Sequence, residues 1–457
     1  MGSVILNRLE VEQTNKLLWE YSIPAIVGSL VVALYNLIDS VYIGHGPGLG
    51  DHAIGGLGIV LPLMTLITAV GALVGTGAAS RISIYLGMGD KASAEKVLGN
   101  AFSLSLLFST GCILIIYAFI EPILLSIGAT ADTYKYAHEF LVYYLPCNIF
   151  LNLSYTLCSI MRASGYPKKA MYIMLAGVIA NIILAPVFIF ILKWGMKGAA
   201  IATFISVIVS LIPVIHHFFS KDSTLRLSVN KIGLDSRIVR AILSIGFSPF
   251  IIQLAASVVV CFINSRLRIF GGSMAIEAYT ISNRLTLIII LIISGLTQGM
   301  QPIVGYNFGA KKLKRVIATV NSAIKIGICI GVIGLIGGQF FGNFVVSAFN
   351  PTEGLADEAV KALRIVTLML PLSGLQMVIS SFFQSVGMPA KSIILSLTRQ
   401  FLLLIPALFI LPHFFKLNGV WASIPVSDFI SSIIAGGMYA WQVRKFINKS
   451  DLVYETI

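Results

Sequence analysis

Residues 161–173 read MRASGYPKKAMYI and residues 384–396 read QSVGMPAKSIILS, so that Gly165-x-Pro167 returns as Gly387-x-Pro389, 222 positions further on. The same offset pairs Gly77 with Gly299, Gly87 with Gly309 and Ala53-Ile54 with Ala275-Ile276. A 457-residue chain with these correspondences is one unit of roughly half its length, duplicated. The copies part near their starts. Pro24 and Ile38-Asp39-Ser40 stand against Pro249 and Ile263-Asn264-Ser265 at an offset of 225, with Ser22 against Ser248 one residue further, an acid in one copy and the neutral amide in the other.

Composition says where this unit resides. The chain is 57% hydrophobic and 11% charged, against about 25% charged in an ordinary soluble domain. Apolar runs of 20 or more residues recur, each long enough to cross a hydrocarbon layer about 30 Å thick. Twelve are expected, at 17–43, 52–80, 95–119, 136–161, 169–192, 197–219, 239–269, 275–305, 316–340, 358–385, 391–415 and 419–443. The fold class read from this pattern is an all-α integral membrane protein: twelve transmembrane helices in two pseudo-symmetric six-helix bundles. With six crossings per copy, both copies enter from the same side. They are parallel repeats, a layout that places a substrate cleft between the halves.

The net charge of +13 follows the membrane rather than a nucleic acid. With the N-terminus in the cytoplasm, nineteen lysines and arginines fall in the tails and inward-facing connections, among them Arg8, Lys91, Lys168, Lys312 and Arg444. Six fall on the other side: Lys135, Lys193, Lys197, Lys361, Arg364 and Lys416. This is the positive-inside pattern, and it puts both termini in the cytoplasm. The longest connection, 220–238, is the expected cytoplasmic linker between an N-terminal lobe of residues 1–219 and a C-terminal lobe of residues 239–457. The first apolar run is too long for a signal h-region and is expected to remain as span one. Cys112, Cys147, Cys158, Cys261 and Cys329 all lie in expected spans without a CxxC pair, and read as small buried hydrophobes.

Few polar residues interrupt the spans, so each is a candidate. Asp39 lies about five residues before the end of span one, roughly 7 Å inside the boundary at 1.5 Å per residue. A carboxylate at that depth marks an ion or proton path, or is a structural acid hydrogen-bonded between helices. Asn181 in span five and Thr203 in span six offer oxygens for a hard cation or partners for a carboxylate, and also suit interhelical hydrogen bonding. Asn148 and Asn152 share a helix face at i, i+4, as a polar stripe of a cavity or as packing contacts. Tyr35, Asn36, Met64, Met171 and Met174 are candidates for an adaptable cavity lining, or face lipid or a neighbouring helix. In the second copy Glu277 and Arg284 are seven residues apart on one face, placed to pair with each other or with Arg266 and Arg268 or to snorkel, and Asp428 is a further acid in apolar sequence, a candidate or a bond to a neighbouring helix.

Absences narrow the chemistry. The sequence holds no GxxxxGK[ST] phosphate loop, no zinc-protease HExxH and no GxSxG elbow, so an enzyme is not expected.

Pro24 and Asp39 in span one, the two Gly-x-Pro turns, Asn181-Ile-Ile-Leu, Gly198-Ala-Ala-Ile-Ala-Thr203, Gln298-Gly-Met-Gln-Pro302 and Gly305-Tyr-Asn-Phe-Gly309 together resemble the multidrug and toxic compound extrusion (MATE) family. The likeness extends over nearly the whole chain, to its bacterial and archaeal DNA-damage-inducible and MepA-like members. The resemblance implies cation-coupled antiport in the bacterial cytoplasmic (inner) membrane. Bulky, often cationic organic compounds leave by alternating access against inflowing protons or sodium, through a V-shaped central cleft. No cofactor beyond the coupling ion and no nucleic-acid partner are expected, and a monomer is. On this resemblance Asp39 matches the proposed proton carrier, Pro24 the helix-bending proline, Asn181 and Thr203 two members of the polar cluster around the acid, and Asn148, Asn152 and Met174 the cavity lining. One position departs: where the family usually has a second aspartate, four residues after the asparagine, this chain has Ala185. The alternative reading is a lipid-linked oligosaccharide flippase of the same superfamily, which would need Arg162, Arg284 and Arg399 to converge on a pyrophosphate.

Overall fold

A backbone inside a hydrocarbon layer has no water to bond, so its amides and carbonyls must be satisfied within helices. The computed structural model describes residues 8–45, 50–221, 223–349 and 352–454, and among them all long regular structure is helical. The N-terminal half forms α1 (Thr14–Gly44), α2 (Gly50–Gly87), α3 (Lys91–Ala118), the short α4 (Ile120–Ser126), α5 (Ala131–Ala163), α6 (Pro167–Pro186) with a π-helical continuation over Val187–Ile191, and α7 (Gly195–Phe219). The C-terminal half forms α8 (Ser236–Gly309), α9 (Leu313–Phe340), the short α10 (Gly342–Ser347), α11 (Glu353–Thr367), α12 (Leu370–Ser385), α13 (Pro389–Leu397) with a π-helical segment Thr398–Leu404, and α14 (Ile405–Tyr454). The duplicated Gly-x-Pro segment has the same backbone in both copies. Gly165 (φ +102°) and Gly387 (φ +72°) both hold left-handed backbone that favours glycine. The proline two residues later starts the next helix in each copy, where its missing N–H is not needed.

Two of these helices are too long to be single crossings. At 1.5 Å per residue the 74 residues of α8 would reach about 111 Å, several times the membrane core. The run breaks at Gly272, with φ 67° and ψ −156°. Val259 and Ile263 from before the break share a core cluster with Ala275 and Tyr279 from after it, so the two arms pack on each other. The last run breaks at Lys416, with φ 49° and ψ −130°, and there a side chain on Gly419 would strike the Leu411 carbonyl at 2.4 Å. Residues 358–385, read from sequence as one span, are two helices bent by 47° between Thr367 and Leu370. The reason lies in Pro371, which has no N–H to continue the bonding of α11 and instead sits in the first turn of α12, where none is needed. Nine helices among the described residues are long and apolar enough to cross a membrane, ten with the bent pair. Splitting α8 and the last run at their breaks restores the expected twelve.

The chain divides into two compact units, Met1–Val11 with Val27–Gln253 and Glu12–Ile26 with Leu254–Ile457. Their borders differ from those of the duplicated sequence, because each unit takes the start of the other copy's first helix. Glycines make the room, and one of them, Gly77, returns at the repeat offset as Gly299. In the first unit a Cβ on Gly77 would lie 2.2 Å from the Ile242 carbonyl, and one on Gly246 would lie 1.6 Å from that of Leu73. In the second, Gly299 and Gly295 leave the same space for Ser22 and Ile26, at 2.5 Å each. The Ser22 hydroxyl donates to the Leu296 carbonyl there, at 3.3 Å.

The segment after α7, expected as a linker, is docked on the first unit. Lys231 pairs with Glu95 at 2.5 Å, the Asp235 amide donates to Asn100 Oδ1 at 2.7 Å, and Gly99 admits the Lys231 carbonyl where a Cβ would come within 2.1 Å of it. Cys147 and Cys158 are buried as expected, whereas Cys261 and Cys329 are exposed. In a membrane helix the outward face is apolar as well, so an apolar small residue does not distinguish core from lipid face.

Candidate functional site

Four helices of the first unit carry the polar residues singled out from sequence. Helical spacing sets several of them in ladders: Tyr35 and Asp39 on α1, Tyr144, Asn148 and Asn152 on α5, Asn181 and Ala185 on α6, and Ala199 and Thr203 on α7, all at steps of four. Pro24, buried in the earlier part of α1, removes one helical hydrogen bond two residues before the border of the compact units.

Thr203 is the hub. Its hydroxyl, 4% exposed with its residue, donates to the Ala199 carbonyl at 3.1 Å. With that proton committed, its oxygen accepts from Asn181 Nδ2 at 3.3 Å and from the Tyr35 hydroxyl at 3.3 Å. Three helices, α1, α6 and α7, therefore close on one oxygen. Asp39, one turn beyond Tyr35, is not drawn into this cluster. Its Oδ1 is buried and meets no hydrogen-bond partner among the described residues. It stands within electrostatic reach of the Tyr35 and Tyr144 hydroxyls.

The asparagines of α5 are fully buried. Asn148 Nδ2 donates to the Tyr144 carbonyl at 3.0 Å. Asn152 Nδ2 donates to the Ile67 carbonyl at 3.2 Å and to Ser109 Oγ at 3.1 Å. The Oδ1 atoms of both lack partners among the described residues, so the helix carries two unsatisfied acceptors one turn apart. Met174 stands where a Cβ on Gly28 of α1 would meet it at 3.5 Å, and receives a long contact from Arg162 Nη1 to its sulfur, 3.7 Å. Met64 packs on the cluster built around Ile67, Phe140 and Leu145, and Met171 is half-buried. The Asn36 side chain lies outside the described residues. Tyr144 went unnoticed in the sequence, although its place one turn before Asn148 is a signal that points to it.

Ala185 is fully buried in the same apolar cluster, beside Ile189, Ala199 and Ala202. The position expected to carry a second acid is thus apolar and closely packed.

The second-copy candidates part company. Glu277 and Arg284 are both exposed, and among the described residues no ion pair joins them to each other or to Arg266 or Arg268. The expected pairing is therefore not formed, and Arg266 instead stacks on Phe409, 3.7 Å from the ring centre. Seven residues bring two side chains to one face of a helix but about 10 Å apart along it, too far without bending towards each other. Asp428 is buried and engaged: Oδ1 takes Arg399 Nε at 2.6 Å and Oδ2 takes the Ser373 hydroxyl at 2.5 Å.

Comparison with known proteins places the chain. The MatE family profile matches residues 24–187 and again 246–410, once per copy. The multidrug export protein MepA of Staphylococcus haemolyticus (strain JCSC1435) is 28% identical over 443 residues, 96% of each chain. A structure of a multidrug resistance MATE family transporter of the MOP superfamily in an outward-facing conformation superposes with a TM-score of 0.91 at 26% identity, covering 96% of this chain and 98% of that one. A MATE structure in a bent conformation gives 0.92 at 26% identity over 99% of both chains.

Proposed function

We propose that this chain, which belongs to the MATE family, is a secondary active exporter of bulky, often cationic organic compounds, and that Asp39 carries the coupling ion. One observation supports the assignment above the others: Asp39 keeps a buried carboxylate oxygen without a partner among the described residues, while the donors of the neighbouring Tyr35, Asn181 and Thr203 are bonded. A buried carboxylate without counter-ion or donor is unfavourable. Binding of a proton or a cation relieves it, and binding of a cationic substrate relieves it equally. Mutual exclusion at one acid then couples the two: ion entry on the outer side removes the charge that holds the drug, and drug binding on the inner side displaces the ion.

The Tyr35–Thr203–Asn181 cluster fixes the helix that carries Asp39 against α6 and α7, so it serves as a support for the acid rather than as its ligand in this conformation. Pro24 gives α1 a place to bend as the acid changes its load. Met64, Met171, Met174, Asn148 and Asn152 form the drug-contacting set. The membrane is the bacterial cytoplasmic one, with both termini inside, and the working unit is a monomer. With Ala185 buried among apolar groups, a single acid does the coupling. The flippase alternative is weakened by the engagement of one of its three arginines, Arg162 with Ser159 at 3.0 Å.

The test is transport of ethidium by reconstituted protein, with proton and sodium gradients imposed separately. Transport driven by one gradient and abolished by Asp39→Asn is the expected result, and it identifies the ion. Undiminished gradient-driven transport by Asp39→Asn sinks the single-acid reading.

A further inference from the structure

We infer that the second unit carries its own subsite for a substrate carboxylate, built on Arg399 and aimed by Asp428. The inference rests on the export reading above and adds a substrate class to it: aromatic compounds that bear an anionic group.

Arg399 lies ten residues beyond Pro389, where its helix begins, which is about 15 Å into a layer about 30 Å thick. A guanidinium at mid-membrane faces a bundle interior or a wet cavity rather than lipid. The neighbouring side chains agree. Ser392 and Ser396 precede Arg399 on the same helix face and are buried against α12, where the Ser380 hydroxyl meets both, at 2.8 and 3.2 Å. Gln376 on α12 donates to the Leu395 carbonyl at 3.5 Å, and Ser373, one turn on, bonds Asp428. A polar seam thus runs between the two helices and ends at Arg399.

At that end the guanidinium is only partly used. Asp428 takes Nε, and among the described residues nothing accepts from Nη1 or Nη2. The side chain keeps 23% of its surface open while Asp428 keeps 4%. The carboxylate is therefore walled in and holds Nε, which leaves Nη1 and Nη2 of a partly open side chain as a pair of parallel donors. That geometry fits a carboxylate, which takes two N–H···O bonds side by side. Tyr279 stands within electrostatic reach of Arg399. Arg399 also sits in the π-helical segment Thr398–Leu404, and Gln400 beside it buries an amide oxygen without a partner among the described residues. Such segments, with wider turns and unsatisfied groups, are frequent at ligand sites.

The experiment compares two dyes that differ in one group, a rhodamine with a free benzoate and its methyl ester, by fluorescence anisotropy on purified full-length protein. Arg399→Lys keeps a positive partner for Asp428 but loses the fork. It is expected to weaken the carboxylate dye about tenfold, the equivalent of one charge-assisted hydrogen bond, and to leave the ester unchanged. Asp428→Asn removes the competing charge and is expected to tighten the carboxylate dye several-fold. Equal losses for both dyes, or none for either, overturn the subsite. A wild-type protein that binds the ester and rejects the carboxylate dye overturns it while sparing the export reading, and one that binds neither dye overturns both.

Discussion

Tyr35 and Asn181 meet on the same atom, the hydroxyl oxygen of Thr203, each at 3.3 Å. That hydroxyl also donates to Ala199, so it has spent its one proton and both its lone pairs. Thr203 is full, and Asp39 Oδ1, one turn beyond Tyr35, has no partner among the described residues.

Replacing Thr203 with Val keeps the volume and removes the acceptor of both donors. Two buried donors then go without, and stability is expected to fall by about 1–3 kcal/mol, read as a lower melting temperature in detergent. Amide exchange around residues 35–39 should rise with it, because α1 loses its tie to α7. Thr203→Ser should restore both readouts.

Restoring an acid at position 185 is expected to harm rather than help. Ala185 is fully buried among Ile189, Ala199 and Ala202, so Ala185→Asp puts a carboxyl group into apolar packing at a cost of roughly 2–7 kcal/mol. The variant should be less stable in thermal unfolding, and Asp39→Asn combined with it should not recover transport. Recovery would mean that this region opens to water during the cycle.

The glycines that admit a neighbouring backbone within the first unit are expected to be among the least replaceable of the described residues. Gly246→Ala and Gly77→Ala each drive a methyl group into a backbone carbonyl, at 1.6 and 2.2 Å, and helix backbones must part to admit it. Overpacking of this kind is expected to cost about 1–3 kcal/mol or more. At Gly58 and Gly111 a Cβ would meet nothing within 4 Å, and alanine there should be near neutral in the same thermal assay.

The Arg399–Asp428 pair predicts a non-additive result. Asp428→Leu alone leaves the part-buried Arg399 without its counter-ion and should cost up to about 3–5 kcal/mol, whereas adding Arg399→Met should return most of that loss. Melting temperatures of the two single variants and the double variant form the cycle that checks it.

The sequence alone determined the medium, the number of crossings, the duplication and the acid in span one. Each of these is written in local composition or in a fixed offset, and a hydrocarbon layer leaves a helix as the means of crossing. The repeated Gly165 and Gly387 turns were legible for the same reason, since left-handed backbone selects glycine wherever the chain runs. The Thr203 hub was half legible: Asn181 and Thr203 were chosen as polar interruptions, while the convergence of Tyr35 on the same oxygen needed three helices in place. The pairing of Glu277 with Arg284 failed because a shared face is a weaker condition than contact. Asp428 with Arg399, 29 residues away, could be found only once two helices had packed. The same holds for the start of α1, which belongs to the first copy by sequence and to the second unit by packing. Close approach through Gly295 and Gly299 decides that ownership, and close approach is a property of the folded pair of helices, carried by neither one alone.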